Sequence, residues 1–254
     1  MRRVVPHMGA LLLGLALLVT WELAGRFGWL ESAFVSSPTR VVEALAGLIQ
    51  SGELVDNLRI TGGRMVVALI AGGGLGLILG LFLGLSRGLR QLLDPFIAAL
   101  HPVPRMALLP IVLMLFGLGF FSKTLVVAIS CFFPMVINTT AGVRQVDANY
   151  LDAARLFGAT RARTLRRVVL PASLPMILAG ARLSLTRVLG STVGLELITA
   201  DTGLGAMLFM AWQTYRSEDL YATVVVIAVL GILFRFVVDT LSRRLVPWQD
   251  PDAG

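Results

Sequence analysis

Cysteine, lysine and histidine are almost missing from this 254-residue sequence. Cys131 stands alone in an apolar run, which excludes an internal disulfide. His7 and His101 are the only imidazoles, so no dedicated metal site is expected. Charged residues amount to 15%, too few to coat a soluble globule. Hydrophobic residues reach 56%, with mean hydropathy +0.83, and they come in runs. The composition is that of an all-α polytopic membrane protein. With Lys123 as the one lysine, the net charge of +7 rests on arginine. Those arginines sit mostly in short loops between apolar runs, the positive-inside pattern, so the expected surroundings are membrane lipids and not nucleic acid. Low-complexity tracts and repeats are missing too, and one domain, 1–254, is the economical expectation.

Six spans are drawn, near Met8 to Ala24, Met65 to Leu85, Phe96 to Phe116, Thr124 to Val143, Met176 to Ala200 and Tyr221 to Leu241, each near the roughly 20 residues a helix needs to cross hydrocarbon. The first follows Arg2 and Arg3, but no small-x-small cleavage site follows it, and Trp21 and Glu22 occupy its end. It is expected to be a retained anchor. Placing the amino terminus in the cytoplasm puts Arg2, Arg3, Arg87, Arg90, Arg144, Arg155, Arg161, Arg163, Arg166, Arg167, Arg243 and Arg244 on that side. Arg26, Arg40, Arg59, Arg64, Lys123 and Arg216 fall outside. This twelve-to-six division favours both termini inside.

The first outer segment, Gly25 to Arg64, is too polar to span. Its Ser36-Ser37-Pro38-Thr39 start signal and the spacing of Val41, Val42, Leu45, Leu48 and Ile49 predict an amphipathic helix lying on the membrane or on the core.

Arginine crowds the 28 residues from Arg144 to Pro171, between two apolar spans. Asp147 is a candidate cap for a helix that puts Tyr150, Ala153, Ala154 and Phe157 on one face and ends at Gly158. A second helix is expected from about Thr160 to Val169, stopped by Pro171. The bland alternative is a loop that only sets topology.

Asp152-Ala153-Ala154, Gly158 six positions after Asp152, then Val168, Leu170 and Pro171, resemble the Glu-Ala-Ala loop of ABC importer permeases. The segment His101-Pro102-Val103-Pro104-Arg105 through Pro110, with Phe116-Gly117-Leu118-Gly119, is similar to permeases for taurine, sulfonates, nitrate or bicarbonate. So are Glu196-Leu197-Ile198, Thr202-Gly203-Leu204-Gly205 and the ending Arg243 to Trp248. The resemblance covers Ser37 to Trp248. It implies a type I importer fold of six transmembrane helices, with a cytoplasmic coupling loop at 144–175. It also implies a permease dimer, an ATPase dimer that binds ATP and magnesium, and a periplasmic or lipid-anchored solute-binding protein, all in the bacterial inner membrane system. Tyr150, Asp152, Ala153, Ala154, Phe157, Gly158, Leu170 and Pro171 would dock the ATPase. Asp152 departs from the family's glutamate by one methylene.

Gly117 to Thr124 differs from a phosphate-binding loop only at Ser122, but it joins two apolar spans instead of a strand and a helix. ATP binding is therefore expected on another chain, with no cofactor in this one. Gly72, Gly76, Gly80 and Gly84 form a four-residue stripe that suits close helix packing, with a gating hinge as the alternative. Charges within spans are costly. Arg182 and Asp239 fall on the order of 10 Å below the midplane at 1.5 Å per residue, close enough in depth to pair, and Arg235 is an i, i+4 neighbour of Asp239. Arg187, near the middle of its span, is a candidate for attracting an anionic solute, and Glu196 is a further path candidate. Internal pairing is the competing role for Arg187.

These observations favour a transport subunit without covalent chemistry, moving a small, anionic solute such as a sulfonate, nitrate or bicarbonate. A permease for a non-anionic nutrient remains an alternative. An intramembrane enzyme would need paired His/Glu, Ser-Lys, Ser-His or matched Asp residues that the spans do not offer. An ion channel would need a filter sequence that is not recognisable here.

Overall fold

The computed structural model describes residues 5–27 and 35–246, and it contains no strand among them. Arg2, Arg3 and the Pro247-Trp248 ending, used above for topology and resemblance, lie outside the described residues. In chain order the helices are α1 (Val5–Arg26), α2 (Pro38–Gln50), α3 (Glu53–Ala68), α4 (Gly74–Leu85), α5 (Arg87–Leu100), α6 (Leu109–Phe116), α7 (Phe120–Arg144), α8 (Ala148–Leu156), α9 (Arg161–Thr164), α10 (Leu170–Thr199), α11 (Leu204–Gln213) and α12 (Ser217–Leu245). Two π turns, Leu69–Gly73 and Leu165–Val169, and a 3-10 turn, Arg105–Leu108, complete them. By compactness the chain divides into residues 1–61 with 196–230, and residues 62–195 with 231–254.

In the first unit, Ser37 is extended and Pro38 opens α2, where its missing amide costs nothing. Glu22, near the end of α1, accepts hydrogen bonds from Thr39 N at 3.0 Å and Thr39 Oγ1 at 2.9 Å. A carboxylate thus meets the positive end of α2. Val41 and Leu48 are buried while Val42 and Ile49 are exposed, so the expected amphipathic helix rests on a narrow stripe. The ring of Trp21 lies 5.7 Å from that of Tyr221.

In the second unit, α4 and α7 touch backbone to backbone. A Cβ placed on Gly72 would stand 2.0 Å from the Ala128 carbonyl oxygen, on Gly76 2.6 Å from that of Phe132, on Gly80 2.6 Å from Thr139 Cβ and on Gly84 2.4 Å from Val143 Cβ. Each spacing is far inside van der Waals contact, so the glycine stripe is what lets the two helices meet. Thr140 Oγ1 adds a bond to the Gly80 carbonyl at 3.3 Å. α7 is buried along much of its length and forms the middle of this unit.

Four helical segments are long and apolar enough to cross a membrane: Glu53–Leu85, Phe120–Arg144, Arg161–Thr199 and Ser217–Leu245. The α5 and Arg105–Phe116 pair makes a fifth, broken one. α1, with 22 residues, reaches about 33 Å at 1.5 Å per residue, enough for the hydrocarbon core.

Two of the expected boundaries are revised and a third is specified. The second span begins at Glu53 instead of Met65, because the polar stretch before it is helical too. Arg64, expected on the outer side, is buried, with its guanidinium 5.5 Å from the centre of the Phe120 ring. The third span is broken where Pro102, Pro104 and Pro110 lead one to expect a break or kink: α5 meets the 105–116 segment at 92°, and the turn between them holds Pro102 and Pro104, which lack amides and restrict their predecessors. Finally, Pro171 does not stop a helix. The segment runs unbroken from Arg161 to Thr199, because the π turn just before Pro171 already displaces the ladder of amide bonds that a proline would interrupt.

Candidate functional site: a docking loop and intramembrane charges

The loop after α7 has the local structure that its capping residues dictate. Asp147 accepts from Asn149 N at 2.9 Å to start α8. Gly158, with φ +68, ends it: Gly158 N bonds Arg155 O and Ala159 N bonds Ala154 O, both at 2.9 Å. This paired closure satisfies the last carbonyls and requires a left-handed residue, which glycine supplies without strain. Thr160 Oγ1 then accepts from Arg163 N at 3.4 Å to start α9.

An open groove of about 460 Å³ separates the two loop helices, lined by Tyr150, Ala153, Ala154, Phe157, Arg167, Val168, Pro171 and Ala172. Tyr150 is 62%, Leu156 88% and Phe157 89% exposed. Apolar side chains this open form an exposed apolar patch within an arginine-rich loop. Asp152 is turned along its own helix, in a 2.9 Å ion pair with Arg155. Leu170 opens α10 beside Pro171.

The intramembrane charges fall into two groups within the second unit. Arg182 Nε pairs with Asp239 Oδ1 at 3.0 Å, and Arg235 Nε lies 3.6 Å from Oδ2 of the same carboxylate. Arg187 has no ion pair among the described residues and is exposed. It shares one face of α10 with Ser184, Ser191 and Gly194. Ser184 Oγ donates to the Cys131 carbonyl at 2.8 Å, and Ser191 Oγ to Ser130 Oγ at 3.2 Å. A Cβ on Gly194 would lie 3.1 Å from Met106 Cε. That face therefore looks towards α7 and the 105–108 turn.

Arg105 stands there. Its Nη2 donates to the His101 carbonyl at 2.5 Å and lies 3.4 Å from His101 Nδ1. Its guanidinium sits 5.3 Å from the centre of the Phe133 ring, and the His101 ring is 5.7 Å from Phe133. Arg105 Nε is buried without a hydrogen-bond partner among the described residues. Sequence reading used His101 and Arg105 only as part of a motif. Their i, i+4 spacing across two prolines was the available signal.

Glu196 does not stand on an open path. It is fully buried in the first unit, where Oε2 accepts from Thr61 Oγ1 at 2.8 Å and from Gly205 N at 3.1 Å. Thr61 Oγ1 in turn accepts from Leu204 N at 2.9 Å, and Asn57 Oδ1 from Gly203 N at 2.7 Å. Three side chains distant in sequence thus satisfy the first amides of α11. Gly203, at φ +101, leaves room for the carboxylate: a Cβ there would lie 2.3 Å from Glu196 Cδ. The sequence pattern marked no helix at α11 because a mostly apolar stretch of ten residues is too short for a span.

The phosphate-loop look-alike is the start of a helix. Gly117 has φ +76, Gly119 is extended, and Ser122 Oγ donates to the Gly117 carbonyl at 2.6 Å. The preceding element is α6, not a strand.

Helices throughout the described residues, with several apolar spans, define a multi-pass helical membrane protein. Residues 72–250 match the family described as the binding-protein-dependent transport system inner membrane component, and the chain belongs to that family. It is 34% identical over 247 residues, 97% of this chain and 90% of the relative, to SsuC of Bacillus subtilis strain 168, whose name refers to aliphatic sulfonates transport. With the taurine transport system permease protein TauC of Escherichia coli K12 it shares 33% identity, covering 98% of this chain and 91% of TauC. The permease fold is shared with an inward-facing MetNI methionine ABC transporter, with TM-score 0.67 and 19% identity over 76% of this chain and 95% of that one. The chain is a multi-pass inner-membrane transport subunit, not an enzyme.

Proposed function

We propose that this chain is the permease of a type I ABC importer that carries a small organic anion, a sulfonate above all, into the cytoplasm. The observation that carries the reading is the groove between α8 and the helix starting at Arg161. Exposed Tyr150 and Phe157 at its rim, with Ala153 and Ala154 on the same face, suit a helix-sized partner surface. An ATPase subunit docks there through Tyr150, Asp152, Ala153, Ala154, Phe157, Gly158, Leu170 and Pro171, and binds the ATP and magnesium. Both termini then lie in the cytoplasm with the docking loop. Two permease copies enclose the path and a solute-binding protein delivers cargo from outside. The names of the sulfonate and taurine relatives support the cargo class, as does Arg187, which lacks a carboxylate partner among the described residues.

Co-purified permease and ATPase, mixed with the cognate binding protein, test the reading. ATP hydrolysis should rise when the binding protein carries its solute. Hydrolysis indifferent to the loaded protein would refute it.

A further inference from the structure

The cations around Phe133 are arranged as if for a guest. Two groups that carry or accept positive charge, His101 and Arg105, meet the Phe133 ring of α7, and Arg187 stands on the face of α10 whose Ser184 and Ser191 bond to Cys131 and Ser130 of the same helix. Like charges in a medium of low polarity repel strongly, and charges at such depth ordinarily find a carboxylate. One such carboxylate, Asp239, neutralises Arg182 at 3.0 Å. Arg105 and Arg187 have no such partner among the described residues. Arg105 is instead fixed by its neighbours, with Nη2 on the His101 carbonyl and Cζ 5.3 Å from the centre of the Phe133 ring, while buried Nε has no hydrogen-bond partner among the described residues. A guanidinium held that way keeps donors available in a fixed plane, the geometry that suits an oxyanion.

We infer that Arg105 and Arg187, with His101 and Phe133, form the solute's binding station in the membrane, selective for a small oxyanion with a short apolar tail. The two guanidinium groups take the oxygens, His101 orients Arg105, and the Phe133 ring takes the tail. Arg105 thereby becomes a specificity residue that neither charge counting nor the loop motif indicates. The inference rests on the anion-carrier reading above, and adds the residues that enforce it.

The test uses the intact permease–ATPase complex in detergent without its binding protein, followed by thermal melting. Ethanesulfonate should raise the melting temperature in a saturable way, and the neutral isostere ethanesulfonamide should not. Arg105→Gln and Arg187→Gln should each weaken the apparent affinity about tenfold or more, the loss expected for a charge-assisted pair, with Arg105→Lys intermediate. Equal stabilisation by the sulfonate and the sulfonamide overturns the site, and this comparison needs no variant to fold. Unchanged affinity in both glutamine variants overturns it as well. Stabilisation by phosphatidylglycerol but not by ethanesulfonate would give the cluster to a lipid headgroup and overturn the solute assignment. The importer reading stands or falls separately, on the ATPase response to loaded binding protein.

Discussion

Thr61 Oγ1 donates to Glu196 Oε2 at 2.8 Å and accepts from Leu204 N at 2.9 Å, so one hydroxyl joins a buried carboxylate to the first turn of α11. Removing it leaves the buried Leu204 amide without this acceptor and takes one donor from Glu196 Oε2, which keeps its bond from Gly205 N, at a cost of about 1–3 kcal/mol. Thr61→Val should therefore lower the melting temperature of the purified protein, whereas Thr61→Ser should keep most of it. A valine variant as stable as the parent would show that water or another group replaces the hydroxyl.

The α4 glycines set a second expectation. Gly76→Val puts side-chain atoms where the Phe132 carbonyl and Met135 Cβ already stand, 2.6 and 2.9 Å from a mere Cβ. Overpacking of this kind costs about 1–3 kcal/mol, and backbone contacts cannot rotate away. Gly74→Val, where a Cβ meets nothing within 4 Å among the described residues, should be far milder. Comparable melting of the two variants would contradict the packing role.

Gly158 separates backbone from space. A Cβ there meets nothing within 4 Å among the described residues, but φ is +68, a conformation costing other residues about 1–2 kcal/mol. Gly158→Val should disturb the end of α8 and uncouple ATP hydrolysis from uptake while the protein stays in the membrane. Gly158→Asn, which tolerates left-handed backbone, should retain most coupling. Normal uptake and assembly in the valine variant would remove the docking role from this turn.

Topology can be read by cysteine labelling in a Cys131→Ala background. Ser217 is buried and makes a poor reporter, but Thr214 and Ala162 are exposed. Thr214→Cys should react with an impermeant maleimide from outside intact cells, and Ala162→Cys only after lysis. The opposite pattern would invert the orientation.

Arg182 and Asp239 test the value of an intramembrane pair. Either Arg182→Gln or Asp239→Asn should reduce stability or expression, and the double variant should lose less than the sum of the two. Strict additivity would mean that the 3.0 Å contact contributes nothing.

How much was legible varies by residue. The apolar runs, the caps at Asp147 and Gly158 and the glycine stripe are local patterns, and local patterns follow from backbone sterics and from which side chains can reach their own helix's amides. Arg182 with Asp239 was within reach because depth along antiparallel spans can be counted. What resisted was long-range geometry. Glu196 looks like a path residue in sequence, since nothing near it explains a carboxylate; only folding brings Thr61 and the amides of Leu204 and Gly205 to it. Arg105 looks like motif and Pro171 like a stop, until the proline turn places one against Phe133 and the π turn carries the helix through the other. An all-helical membrane chain with a capped arginine-rich loop is legible from residue order, because hydropathy, helix period and capping act over a few residues, and the permease reading comes from the resemblance of its motifs. Which charges in the spans are neutralised is a matter of the folded arrangement, because the interaction of two charges depends on a few ångströms between groups from separate segments.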